Sequence, residues 1–281
     1  MMVNQYDESR LLLVLQIDHS RVAGFLAARW GNEEFAKPQP YASVVLAAQE
    51  HDIGWWEWEM KPSTLNERGY PLDYHDGSLK YLGQLRLDFY KNAVDHVMQR
   101  DPYAALLIAM HGVALMNAGY GKLAYPPDRS SDPLVKAYIE HQEKLRAQLL
   151  ERLRQSQQFK DFTSDEQVWT NYEYIEVFDQ LAQFLCNRYP LNSKTRKFGP
   201  THSLNDVAVP VAPGAKPVIL DIDTVSETRA VLCPYPFDTD PLKLSFTGRL
   251  VSNRAYKSSE DFLEEFYRAE RMTVTYALAS T

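Results

Sequence analysis

The sequence predicts a mainly α protein: a helical bundle over residues 1–190, with a small antiparallel β-rich extension over 191–281 packed on it, α+β overall. Two observations predict this. Up to residue 188 the apolar residues recur at spacings of three and four, the pattern of helices that bury one stripe. Beyond Pro190, Pro, Gly and Ser punctuate short β-rich runs.

In chain order, the apolar run from Leu11 to Ile17 reads as a short strand. Helices follow at 19–30, 41–58, 78–99, 102–118, 132–158 and 164–188. The helix at 102–118, containing AALLIAMHGVALM, suits a buried position and is too short and interrupted to span a membrane. The helix at 132–158 starts at Asp132-Pro133 and is charged along one face. Its apolar stripe of Leu134, Tyr138, Leu145 and Leu149 packs on the bundle or, in a homodimer, on a partner helix. The β-rich runs are VAVPV, PVILDID, TRAVLCPYPF and KLSFTGRLVS, with Pro213-Gly214 as a hairpin turn. A helix at 258–271 and a last strand, MTVTYALA, close the chain. This extension has too few residues for a secure core of its own, so it rests on the bundle.

Composition bounds the function. With 281 residues, 45% of them hydrophobic and 12% aromatic, the chain can bury a substantial core. A net charge of −7 and a pI near 5.5 argue against a general nucleic-acid or anionic-membrane surface. Cys186 and Cys233 are the two cysteines, which excludes a disulfide framework or a cysteine-based zinc knuckle. No basic and apolar leader and no transmembrane-length stretch is present, so the expected compartment is the cytoplasm. A glycine-rich phosphate loop and a Gly-x-Ser-x-Gly elbow are also missing. The expected partner is a small-molecule substrate or ligand.

The chemistry sits on the helical stripes. In AAQEHDIGW, Val44, Ala47, Ala48 and His51 share one helix face, so the His51 ring points inward beside Asp52. An imidazole and a carboxylate side by side can ligate one hard or borderline metal ion. His19 shares a stripe with Val22, Ala23, Leu26 and Trp30. His111 follows Ala104, Leu107 and Ile108, and Asp179 lies with Ile175, Phe178, Ala182 and Cys186. Taken singly, each has a common structural role: a core histidine bonded to a carbonyl or carboxylate, or a buried ion pair such as Asp179 with Arg188. Four inward polar groups on four helices favour convergence on one cation, which offsets their burial cost together. His75, in the loop PLDYHDGS, is a weaker candidate, and His96 and His141 fall on charged faces.

The order His19, His51-Asp52, Asp179 resembles the His…His-Asp…Asp signature of the HD-domain superfamily, metal-dependent phosphohydrolases built as helical bundles. The runs QIDHS, HDIGWWEWE, IAMHGVAL and YIEVFDQLAQFLC, with the tail around CPYPF, more closely resemble an uncharacterised bacterial family of unknown function that is similar to a remote HD relative. The resemblance implies His19, His51, Asp52 and Asp179 as metal ligands. The interval from Asp52 to Asp179 is longer than a compact HD core needs, so inserted helices are implied. It leaves His111 as a further ligand, a second-metal ligand or a catalytic proton-transfer group.

Imidazole and carboxylate ligands suit one or two divalent ions of iron, manganese, zinc or nickel. Such an ion lowers the pKa of bound water and supplies a hydroxide for attack on phosphorus or carbonyl. The leading expectation is a metal-dependent hydrolase of a small phosphorylated metabolite or nucleotide. A non-catalytic ligand-binding or sensing module is the alternative, and a di-iron oxygenase, as among the inositol oxygenase relatives of the HD fold, is a third. Arg21 is a candidate phosphate contact, with Arg29 and Lys37 behind it, although solvated surface charge explains each equally well. Trp55 is a candidate stacking wall, with Trp56 and Trp58, against the alternative that these rings pack the core.

Overall fold

The computed structural model describes residues 1–60, 65–74, 83–121, 128–187 and 203–281. His75, His202, Arg188 and the 78–82 start of one expected helix lie outside them.

Seven strands form one sheet: β1 (Met2–Gln5), β2 (Arg10–Val14), β3 (Ser203–Val209), β4 (Val218–Thr224), β5 (Arg229–Cys233), β6 (Leu242–Ser252) and β7 (Glu270–Ser280). Their order across the sheet is β1-β2-β6-β7-β5-β4-β3, with every pair antiparallel except β5 with β7. The long helices are α1 (Gln16–Arg29), α2 (Tyr41–Glu50), α4 (Gln84–Met98), α5 (Pro102–Ala114), α6 (Pro133–Arg154) and α7 (Asp165–Cys186). Two shorter ones are α3 (Trp56–Met60) and α8 (Ser259–Arg268), the latter crossing between β6 and β7.

The expected bundle with a small antiparallel appendage is overturned. The chain is 47% helical and 21% strand, and its sheet curls into a half-barrel. Strands β1 and β2 come from the segment read as bundle and pair onto β6, so the sheet is not a C-terminal addition. It is mixed rather than antiparallel. The reason for the misreading lies in β2. Its Leu12 and Val14 enter the main core, while Leu11 and Leu13 pack with Val251, Phe262 and Phe266 under α8. A strand buried on both faces loses the alternation that marks a sheet edge in sequence. Strand β6 keeps that alternation, with Leu242, Leu244 and Phe246 buried at every second position.

The expected 41–58 helix is also broken. It divides into α2, a 3₁₀ turn at Ile53–Trp55, and α3, because Asp52 leaves the helical region at φ −108° and ψ 14°. Gly54 lets the turn sit against the Phe89 carbonyl of α4, where a Cβ would collide. This break re-aims the chain after His51 and brings Glu59 of α3 back to the start of α1. There the Glu59 carboxylate accepts from the backbone N–H groups of Gln16 at 2.8 Å and Ile17 at 3.3 Å. Helix α1 has no side-chain cap of its own, so Glu59 satisfies its orphan donors from a distance.

Other helix starts follow local signals. Asp101 precedes Pro102 and accepts from the Tyr103 and Ala104 N–H groups at 2.9 Å, and Ser164 caps α7. Tyr138 and Leu149 of α6 are buried within the chain, whereas Leu134 is exposed. The main core joins α1, α2, α5 and α7 to the concave sheet through residues such as Val22, Leu26, Trp30, Phe178, Leu244 and Tyr276. Among the described residues no helix is long and apolar enough to cross a membrane.

Candidate metal centre

Four helical segments deliver the polar cluster. His19 comes from the first turns of α1, His51 and Asp52 from the end of α2, His111 from α5, and Glu176 and Asp179 from α7. All six side chains are buried. Four of them close on the Asp179 carboxylate. His19 Nε2 lies 2.7 Å from Asp179 Oδ1, His51 Nε2 lies 3.4 Å from the same oxygen, and His111 Nε2 lies 3.9 Å from Oδ2. Gln183, one turn beyond on α7, donates to Oδ2 at 2.8 Å. The His51 ring meets those of His19 and His111 edge-on, with centroids 5.1 and 5.0 Å apart.

The other ring nitrogens are all occupied from outside. His19 Nδ1 donates to the Gln16 carbonyl at 2.7 Å, and His51 Nδ1 donates to the Ala48 carbonyl at 2.8 Å. A carbonyl can only accept, so in the neutral rings the proton sits on Nδ1 and the Nε2 lone pair faces the cluster. His111 Nδ1 stands 2.5 Å from Glu176 Oε1, which fixes that ring the same way. An outer acceptor on one nitrogen with the other turned inward is the arrangement of metal-ligating histidines.

Two groups of three donors each lie within 4.8 Å of one another: His19, His51 and Asp52, and His51, His111 and Asp179. Each is two imidazoles with one carboxylate, a set that fits a divalent ion of iron, manganese, zinc or nickel. His51 belongs to both but has a single lone pair available. The two groups are therefore overlapping descriptions of one ion's surroundings, or a second ion must do without His51. His51 Nε2 and Glu176 Oε2 are buried with no hydrogen-bond partner, which a cluster built only for internal hydrogen bonding would not leave.

Electrostatics agree with a cation-seeking site. Burial alone would lower the His51 imidazole, but the Asp52 and Asp179 carboxylates outweigh it and push it up to about 9. His111 is raised too, its burial outweighed by Glu176. Burial drives the Glu176 carboxyl up, against the pull of His111. Burial also acts to raise Asp179, yet the histidines around it hold its carboxyl well below the usual range.

A family model matches residues 1–253, and its description is Protein of unknown function (DUF3891). The chain belongs to that family. The span that makes it a DUF3891 protein contains the whole polar cluster and six of the seven strands. No curated protein and no solved structure matches the chain significantly.

A cavity of about 100 Å³ opens beside the cluster in this DUF3891 chain, lined by Gln16, Asp52, Tyr74, Arg86, Tyr90, His111, Leu115, Arg129, Asp179 and Gln183. The structure thus brings His19, His51, Asp52, His111 and Asp179 together, and His111, Asp52 and Asp179 face the cavity. It does not bring Arg21 or Trp55. Arg21 is exposed and pairs with Asp18 at 2.9 Å, a short i,i+3 pair on the outer face of α1. Trp55 is buried against Trp58, Phe89 and Tyr90, filling the space between α3 and α4. Arg29 and Lys37 both face Asp238 at the surface, and His96 and His141 are exposed.

The residues that sequence reasoning missed are Gln16, Tyr74, Arg86, Tyr90, Arg129, Glu176 and Gln183. Three had a signal: Glu176 and Gln183 stand three before and four after Asp179, and Gln16 three before His19, so each shares a helix face with a named ligand. Tyr74 and Arg129 lie outside the helices and had none. Tyr74 donates to Gln183 Oε1 at 3.0 Å, and Arg86 Nε donates to the Tyr90 hydroxyl at 3.1 Å. Burial keeps both tyrosines above their ordinary pKa, hence neutral donors.

Proposed function

We propose that this chain is a metal-dependent hydrolase of a small phosphorylated metabolite or nucleotide. The observation that carries the reading is the common orientation of three histidines, each with Nδ1 bonded outward and Nε2 turned to the Asp179 carboxylate. The resemblance to the HD ligand order, His19, His51-Asp52 and Asp179, supports it, without the all-helical architecture. A divalent cation held by His19, His51, Asp52 and Asp179 supplies Lewis-acid charge and lowers the pKa of water it binds.

The chain's own residues supply the rest. Gln183 and Tyr74 hold Asp179 in place through successive hydrogen bonds. Gln16 Nε2 donates to Asp52 Oδ2 at 3.3 Å and steadies the second carboxylate. His111, which lines the cavity with Glu176 behind it, gives a proton from Nε2 to the leaving oxygen as the phosphorus–oxygen bond breaks, and regains one from the attacking water. Glu176 stabilises the imidazolium that this role requires.

The test is hydrolysis of a panel of phosphate esters by the protein reconstituted with manganese, iron, nickel or zinc, alongside Asp179→Asn. Turnover that depends on the metal and is lost in the variant supports the reading; turnover unaffected by Asp179→Asn contradicts it. The two-histidine, one-carboxylate donor set also favours a second reading, since open sites of that composition hold iron in oxygenases. Oxygen uptake by the iron-loaded protein, with no ester cleaved, decides for that one.

A further inference from the structure

The mouth of the cavity carries positive charge that the metal ligands do not use. Arg86 and Arg129 both line it, on the same cavity as Asp52, His111 and Asp179. Arg129 is half-buried and its Nη1 is fully buried with no hydrogen-bond partner. Among the described residues no carboxylate pairs with it. Arg86 is held over the Tyr90 ring, 5.8 Å from its centroid, and aimed by the hydrogen bond from its Nε to the Tyr90 hydroxyl. Two guanidinium groups at one small cavity repel each other and cost desolvation, unless an anion bridges them.

We infer that Arg86 and Arg129 form the recognition site for the dianionic phosphate of a phosphomonoester, and that they set a preference for monoesters over diesters. The inference rests on the hydrolase reading for its charge balance. A divalent cation is offset by Asp52 and Asp179, and His111 is offset by Glu176, so the two arginines leave a double positive charge. A phosphomonoester matches that charge and presents three terminal oxygens, enough for both guanidinium forks and the cation side of the cavity. A diester or a carboxylate brings one negative charge and two such oxygens.

The probes are inorganic phosphate and dimethyl phosphate, titrated calorimetrically at pH 8 into the wild-type protein and into Arg129→Met and Arg86→Met. Metal content and circular dichroism are measured on each sample. Wild type is expected to bind phosphate at least about tenfold more tightly than dimethyl phosphate, and each variant to lose about tenfold or more in phosphate affinity with metal content intact. Equal affinity for the two probes in wild type overturns the inference and needs no variant. Unchanged phosphate binding in both folded variants overturns it as well. Arg129→Lys, which keeps the charge but not the fork, is expected to fall between wild type and Arg129→Met. A wild-type protein that binds no metal sinks the hydrolase reading instead, and the phosphate titrations still decide the role of the arginines.

Discussion

His19 Nε2 and Asp179 Oδ1 lie 2.7 Å apart across 160 residues of sequence, which ties the first turns of α1 to the middle of α7. Every other ligand candidate is arranged around that contact. Asp179→Asn keeps the shape but removes the charge shared by three imidazoles, so it should lower metal affinity by about tenfold or more. Isothermal titration with manganese or zinc measures this. Affinity equal to wild type would contradict the placement of Asp179 in the site.

Glu176 acts through His111, whose Nδ1 it holds at 2.5 Å. Glu176→Gln should leave the fold intact and reduce turnover by about 10- to 100-fold, the usual range for removing an outer carboxylate. A pH–rate profile separates the roles. If Glu176 tunes a proton donor, the limb belonging to His111 moves to lower pH in the variant, because the carboxylate that raised it is gone. A profile that falls uniformly with no movement points to a purely structural role.

Gly54 has the Phe89 carbonyl where a Cβ would go. Gly54→Ala should destabilise the protein by about 1–3 kcal/mol and shift the turn that carries Asp52 into the cavity. Thermal melting reports the first effect and metal content the second. A variant as stable as wild type would show that the turn can retreat from α4.

Leu12 fills the main core from the doubly buried strand β2. Leu12→Ala should cost about 2–5 kcal/mol by denaturant unfolding, as cavity-forming core substitutions do. A cost well under that range would mean that β2 is peripheral rather than central to the sheet.

Acid should loosen the corner where α8 leaves the sheet. Arg254 makes two 2.8 Å bonds to the Asp261 carboxylate and one of 3.1 Å to Glu265. Arg254 and the Lys257 N–H hold Asp261 well below its ordinary value. Burial pushes Glu265 up, but the Ser252 N–H and Arg254 outweigh it and lower it. Both folded pKa values are depressed, so the stability they contribute is present above the unfolded values of roughly 4 and is lost as pH falls through the folded ones. Glu265→Gln should flatten that part of a melting-temperature profile against pH, and an unchanged profile would remove Glu265 from the account.

The site was legible where a polar residue interrupted an apolar helical stripe. His19, His51, His111 and Asp179 announce themselves because burying an unpaired polar group is costly, so its presence on an inward face implies partners. Glu176 carried the same signal one turn from Asp179 and passed unread. Arg86 and Arg129 could not be read, since an arginine facing a cavity and one facing solvent have the same local pattern, and Arg21 was chosen merely for being near His19 in sequence. The fold was legible by segment and illegible by assembly. Helices α5, α6 and α7 start at capped positions that the sequence marks with Asp101-Pro102, Asp132-Pro133 and Ser164. The pairing of β2 with β6 joins residues more than two hundred positions apart, and nothing in RLLLV says which strand lies beside it. With β1 only four residues long, the N-terminal half of the sheet was hidden, and the β-rich tail passed for a small appendage.

The measurement that tests the central claim most directly is metal stoichiometry by elemental analysis of the untagged protein, prepared without chelator, beside His51→Ala. His51 belongs to both candidate donor groups and its Nε2 has no hydrogen-bond partner, so its loss strikes any ion the cluster holds. The account predicts about one equivalent of a divalent transition metal in wild type and little or none in a folded variant. Wild type that stays without metal after reconstitution with manganese, iron, nickel and zinc, or a variant that keeps its full complement, would contradict it.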